Sequence, residues 1–157
     1  MKTPLLAVVS AVLLSASMVS AKDDVPRGFA PLTELKEIQA EAVAKKKLVV
    51  LVVKGMDDEC PRCAAALENG LKAVGSGVEK VFARAETIKP EDVGTVSPTL
   101  QARVKKLFTR GAAVTFVVMN PEMTTIIAEA DRGDLESNED KTEAFKKSVQ
   151  AAKKTLK

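Results

Sequence analysis

The chain has 157 residues, 46% hydrophobic and 29% charged, with a net charge of +3, two cysteines and no histidine, tryptophan or tyrosine. That length suits one domain with its own core, and the near-neutral balance and missing stacking aromatics argue against a nucleic acid or an anionic membrane as partner. Without histidine there is no Ser-His-Asp or Cys-His relay and no His-ligated metal, so proton chemistry falls to Cys, Lys, Asp or Glu.

Lys2 precedes an apolar stretch from Leu5 to Leu14, followed by Ser15-Ala16-Ser17-Met18-Val19-Ser20-Ala21, which ends in small residues. Residues 1–21 therefore read as a secretory signal cut after Ala21, which predicts a periplasmic or secreted protein. The apolar run, about ten residues, is shorter than the roughly 20 a membrane span needs. Export matters for Cys60 and Cys63, because disulfides form and persist in oxidising spaces.

Residues 22–32, with Pro26 and Gly28, read as a flexible leader, and 33–157 as the domain. Pro31 and Thr33 open a predicted helix with Leu35, Ile38, Ala42 and Val43 at helical spacing, closed by Lys45-Lys46-Lys47, cations that suit a helix's last turn. Leu48 to Val53 is an unbroken Leu/Val run, the pattern of a central strand covered on both faces. Gly55 ends it, and Met56-Asp57-Asp58-Glu59 forms a loop. Cys60 and Pro61 then start a second helix, with Ala64, Leu67, Leu71 and Val74 as its stripe and Gly75 and Gly77 as its stop.

Val78 to Ala85 supplies a strand, and a polar loop with Pro90 and Gly94 leads to Ser97-Pro98, which opens a helix carrying Leu100, Val104, Leu107 and Phe108. Gly111 follows its end. Ala113 to Met119 is the next strand, Asn120-Pro121-Glu122 a turn, and Thr124 to Ala130 its antiparallel partner. Ser137 with Asp140 reads as a capping box for a last helix in which Phe145, Val149, Ala152 and Leu156 face inward. The order α-β-α-β-α-β-β-α implies one mixed sheet with helices on both sides.

Cys60-Pro61-Arg62-Cys63 is the motif whose spacing carries a mechanism. Two residues between cysteines at a helix start let the sulfurs close a small disulfide ring, while the helix N-terminus stabilises the first thiolate. Cys60 would attack a substrate disulfide, and Cys63, one turn in, would then attack Cys60 and release the reduced substrate.

The strand from Leu48 to Val53, the loop, Cys60-Pro61-Arg62-Cys63 opening a helix, and the later β-β-α ending resemble the thioredoxin superfamily over about residues 33 to 156. The resemblance implies a thioredoxin-like three-layer α/β/α sandwich with a central mixed sheet and a thiol-disulfide exchange activity. Cys60 would be the nucleophile and Cys63 the resolving thiol. The usual first strand finds no counterpart between Lys22 and Ala30, so a trimmed sheet is expected. Three positions depart from the family pattern. Glu59 stands where a Trp is usual and, with Asp57 and Asp58, raises the Cys60 pKa against the helix dipole and Arg62. Lys54 stands where a buried acid is usual, and either favours the thiolate or reaches water from a strand end. Ala113-Val114-Thr115 aligns with the substrate groove and puts Val114 in place of the cis-proline, so a trans Ala113–Val114 bond is expected, since a cis bond there costs about 2.5–4 kcal/mol.

Three readings of the cysteine pair follow. In the first it is a redox centre, and the protein a monomeric oxidoreductase without a cofactor that exchanges disulfides with other exported proteins and a redox partner protein. In the second it is a static bridge in a non-catalytic binding module. In the third its two thiolates, with Met56 close in sequence, hold Cu(I). Export and the helix start favour the first, and so short a loop removes little entropy as a purely stabilising bridge.

Overall fold

The computed structural model describes residues 25–55, 60–108 and 113–156, with Phe108 in its backbone only. The signal segment, Met56 to Glu59 and Gly111 lie outside the described residues. In chain order the elements are β1 (Ala30–Pro31), a 3-10 turn (Leu32–Glu34), α1 (Leu35–Lys45), β2 (Leu48–Lys54), α2 (Pro61–Val74), β3 (Val78–Arg84) and α3 (Pro90–Gly94). There follow α4 (Pro98–Phe108), β4 (Val114–Met119), β5 (Ile126–Asp131), α5 (Arg132–Glu136) and α6 (Glu139–Thr155). No helix among the described residues is long and apolar enough to cross a membrane.

The Leu/Val run of β2 is buried from Leu48 to Val53 and sits at the centre of a sheet ordered β1-β3-β2-β4-β5. Alternation splits its side chains between two cores. Leu48, Val50 and Val52 pack with Ala66 and Val74 of α2 and Phe145 and Val149 of α6. Val49, Leu51 and Val53 pack with Leu35 and Ala42 of α1 and Leu100 and Val104 of α4. β2 runs parallel to β3, from Leu48 beside Val78 to Lys54 beside Arg84, and antiparallel to β4, from Val49 beside Met119 to Lys54 beside Val114. β5 pairs antiparallel with β4. The result is a three-layer α/β/α sandwich with a mixed sheet, thioredoxin-like in class.

Several local expectations are corrected. The first strand is reduced rather than missing: Ala30 and Pro31 pair parallel with Val81 and Phe82 at the sheet edge, where a residue without an N–H is tolerated. Just before it, Phe29 meets Phe82 edge to face at 5.9 Å and lies under the Lys80 ammonium at 5.3 Å, and Val25 packs against the same core. The first α-helix begins only at Leu35, after the 3-10 turn, and Val43 is 45% exposed rather than inward. On α2 the buried stripe is Cys63, Ala66, Gly70, Ala73 and Val74, flanked by half-buried Leu67 and Leu71, while Ala64 is exposed. A short helix, α3, replaces the expected loop at Pro90.

Ser97 does cap α4: its Oγ accepts from the Leu100 N–H at 3.0 Å and donates to the Met123 carbonyl at 2.5 Å, tying that helix to the β4–β5 hairpin. Asn120 shapes the hairpin turn, its Oδ1 accepting from the N–H groups of Thr124 and Thr125 at 2.9 and 2.8 Å. α6 is capped by Asn138, which accepts from the Lys141 N–H at 3.0 Å, and not by the Ser137–Asp140 box. Ser137 is already used as the C-cap of α5, an element that the sequence reading left unassigned. Late in α6, Lys153 donates to the carbonyls of Val74 and Ser76 at 2.6 and 2.5 Å, satisfying acceptors that the end of α2 leaves open.

Candidate active site

Cys60 is the N-cap of α2, in extended conformation, with Pro61 in the first turn. Its carbonyl accepts from the N–H groups of Cys63 and Ala64, both at 3.1 Å, and its sulfur accepts from the Cys63 N–H at 3.2 Å. At the helix N-terminus the Cys63 N–H is thus shared between the Cys60 carbonyl and Cys60 Sγ, an arrangement that favours a thiolate there. One turn in, Cys63 is 3% exposed and belongs to the core cluster of Val52, Val114 and Leu135, whereas Cys60 is half-buried. The two cysteines are not joined by a disulfide, and their sulfurs lie 2.7 Å apart. One sulfur is reachable from outside; the other is reachable from the first.

Burial pushes the Cys63 thiol up, the hydrogen bond with Cys60 adds to this, and a hydrogen bond from the Arg132 guanidinium opposes both. Arg132 comes from α5, which docks on α2. Leu135 is buried in the shared core, its carbonyl accepts from Asn69 Nδ2 at 2.8 Å, and a reciprocal capping box between Asp131 and Asp134 fixes the start of the helix. At the other end of α5, Glu136 forms an ion pair with Arg62, the exposed residue between the cysteines. Arg132 and Glu136 are the site residues that the sequence reading missed. The available signal was Asp131-x-x-Asp134, a capping pattern directly after the last strand.

A pH dependence follows from Cys63. In a Cys60→Ser variant it is the one remaining thiol, and burial still favours its neutral form. A pKa raised in the folded state gives stability that is complete below the ordinary value of 9.0 and is lost as pH rises through the folded value. The urea midpoint of Cys60→Ser should therefore fall from about pH 9 upward relative to a Cys60→Ser/Cys63→Ala double variant. A pH-independent difference between the two would contradict the burial of this thiol.

The remaining sequence-predicted residues fall around the pair. Lys54 ends β2, half-buried, between Arg84 and Val114 in register and, by alternation, on the sheet face that α2 covers. Arg62 is positioned beside both cysteines, and Glu59 lies outside the described residues. Val114 is 1% exposed in the same cluster as Cys63, while Thr115, 4% exposed, points to the opposite face. The Ala113–Val114 peptide is trans, and the Ala113 carbonyl accepts from the Gly55 N–H at 2.8 Å, extending the β2–β4 pairing by one step.

Beside Ala113, Val114 and Thr115 opens a cleft of about 350 Å³, bordered by Arg132 and by Arg103 and Glu129, which pair with each other at 2.5 Å. Among the described residues no three Cys, Asp or Glu side chains converge as a metal site. Comparisons of the chain with protein-family models, with curated proteins and with solved structures find no match.

Proposed function

We propose that the chain is an exported thiol-disulfide oxidoreductase of the thioredoxin superfamily that exchanges disulfides with other exported proteins through Cys60 and Cys63. The observation that carries this reading is the asymmetric pair at the start of α2: a half-buried sulfur that caps the helix, 2.7 Å from a buried one. In the reducing direction the Cys60 thiolate attacks one sulfur of a substrate disulfide. That bond breaks, the departing thiolate takes a proton, and a mixed disulfide joins Cys60 to the substrate. Cys63 then loses its proton and attacks Cys60 Sγ, expelling the second substrate thiolate. Two electrons have passed to the substrate, and the chain is left with a Cys60–Cys63 disulfide. Arg132 offsets part of the cost of charging Cys63 in its buried position. A dithiol redox partner would return the pair to its reduced form, and the same steps reversed oxidise a substrate dithiol.

One observation favours a second reading, a binding module with a static bridge. The Ala113 carbonyl is already engaged by Gly55, and the resemblance puts Val114 with a trans bond where the family holds its cis-proline, so a substrate backbone would find less to pair with there. One assay separates the readings. The purified chain, kept reduced by a dithiol, should accelerate precipitation of insulin by disulfide reduction well beyond the dithiol alone. No acceleration, with a pair that stays oxidised in mild thiol, would establish the binding module instead.

A further inference from the structure

The exchange steps above make no use of the Glu136 carboxylate. Its side chain is 15% exposed and faces two guanidiniums, Arg62 Nε in an ion pair and Arg132 Nε at 3.9 Å. Each guanidinium also acts on the sulfurs. Arg62 lies between the cysteines in the chain, its charge held first by Glu136 and then favoured by both cysteines, and the Arg132 charge favours ionised Cys63. The carboxylate therefore competes with the sulfurs for Arg62, the residue between them in the chain. α5 is pinned to α2 through Leu135 and Asn69, so Glu136 holds its place in that competition instead of drifting with a loop.

We propose that Glu136 is a positioning residue that draws Arg62 away from the two sulfurs and thereby sets how readily the Cys60–Cys63 pair is reduced. The inference rests on the redox reading of the pair. Reduction adds two electrons and two protons to the disulfide and gives two thiols, the more acidic of which ionises. A cation close to that thiolate stabilises the reduced form and makes the pair more oxidising. With its carboxylate in place, Glu136 spends the charge of Arg62 on α5. Without it, the Arg62 guanidinium is free to turn toward sulfur.

The test is the reduction potential of the full chain, measured by equilibration with graded mixtures of reduced and oxidised glutathione and read by mass after alkylation. Glu136→Gln should favour the reduced pair by about fivefold, which is about 20 mV for a two-electron couple. Glu136→Asp, whose shorter arm cannot serve both guanidiniums, should fall between the two. Arg62→Gln, at a side chain 66% exposed, should shift the potential little in the native background and clearly more in the Glu136→Gln background, a coupling that a merely structural role would not produce.

An unshifted potential in Glu136→Gln overturns the inference, and so does an equal Arg62→Gln effect in both backgrounds. Should Glu136→Gln fail to fold, a fivefold Arg62→Gln effect in the native background overturns it by itself. The potential is defined against glutathione whether or not insulin is turned over. A shifted potential without turnover therefore counts against the oxidoreductase reading alone, and normal turnover with an unshifted potential against Glu136 alone.

Discussion

A Cys63→Ala chain should accumulate a disulfide-linked adduct with its substrate, while its turnover of an insulin disulfide falls on the order of 10³-fold. Cys60 keeps its capping position and its access to solvent in this variant, so the first exchange proceeds. The second does not. In the native chain Cys63 Sγ lies 2.7 Å from the Cys60 Sγ that the proposed mechanism has it attack, whereas in the variant a small thiol has to arrive from bulk solution at whatever concentration it has there. Cys60→Ser should show the opposite pattern, with turnover equally lost and no adduct, because the step that forms the adduct is gone. Non-reducing electrophoresis after incubation with an oxidised substrate distinguishes them. Adduct formation by Cys60→Ser, or turnover in Cys63→Ala reduced less than about tenfold, would reverse or abolish the assigned roles.

Gly70→Ala should destabilise the fold by about 2 kcal/mol, against the usual gain from replacing glycine inside a helix. Gly70 lies in the middle of α2, where alanine would ordinarily contribute up to about 1 kcal/mol. A Cβ built at this position runs into Cε2 and Cζ of Phe116 on β4. Phe116 is fully buried and packs edge to face on Phe145 at 6.2 Å, so its ring has no free direction in which to retreat. The missing side chain at 70 is what lets α2 lie this close to the sheet. Thermal melting should record a drop of roughly 8 °C. Phe116→Leu, destabilising alone, should recover part of the loss in the Gly70→Ala background, since the two positions share one volume. A Gly70→Ala variant more stable than the native chain would mean that α2 sits farther from β4.

The central strand and the position of the cysteine pair were legible because each rests on a strong local signal: an unbroken Leu/Val run in one case, a cysteine followed by proline at a helix start in the other. β1 was not legible, since Ala30-Pro31 has neither β-branching nor alternation, and its pairing depends on Phe29 finding Phe82 far along the chain. α5 was missed for a related reason. Arg-Gly-Asp-Leu-Glu carries one apolar residue, Leu135, so it shows no periodicity, and the helix exists through its capping box and its docking on α2. That omission hid Arg132 and Glu136, which reach Cys63 and Arg62 only through tertiary packing. The Ser137–Asp140 box had the right residues for a cap, but Ser137 was already occupied in ending α5.

The order of elements along the chain also gives the site a history. β2, α2 and β3 form a contiguous unit that carries both sulfurs and can assemble from nearby contacts, while β4, the second neighbour of β2, and then α5 come much later. Short-range pairings form ahead of long-range ones. Both sulfurs thus belong to the early, local unit, whereas Arg132 and Glu136 join them through a helix much later in the chain. On the proposed redox reading, a chain that ends before α5 would keep both sulfurs and lack the two groups proposed to tune them.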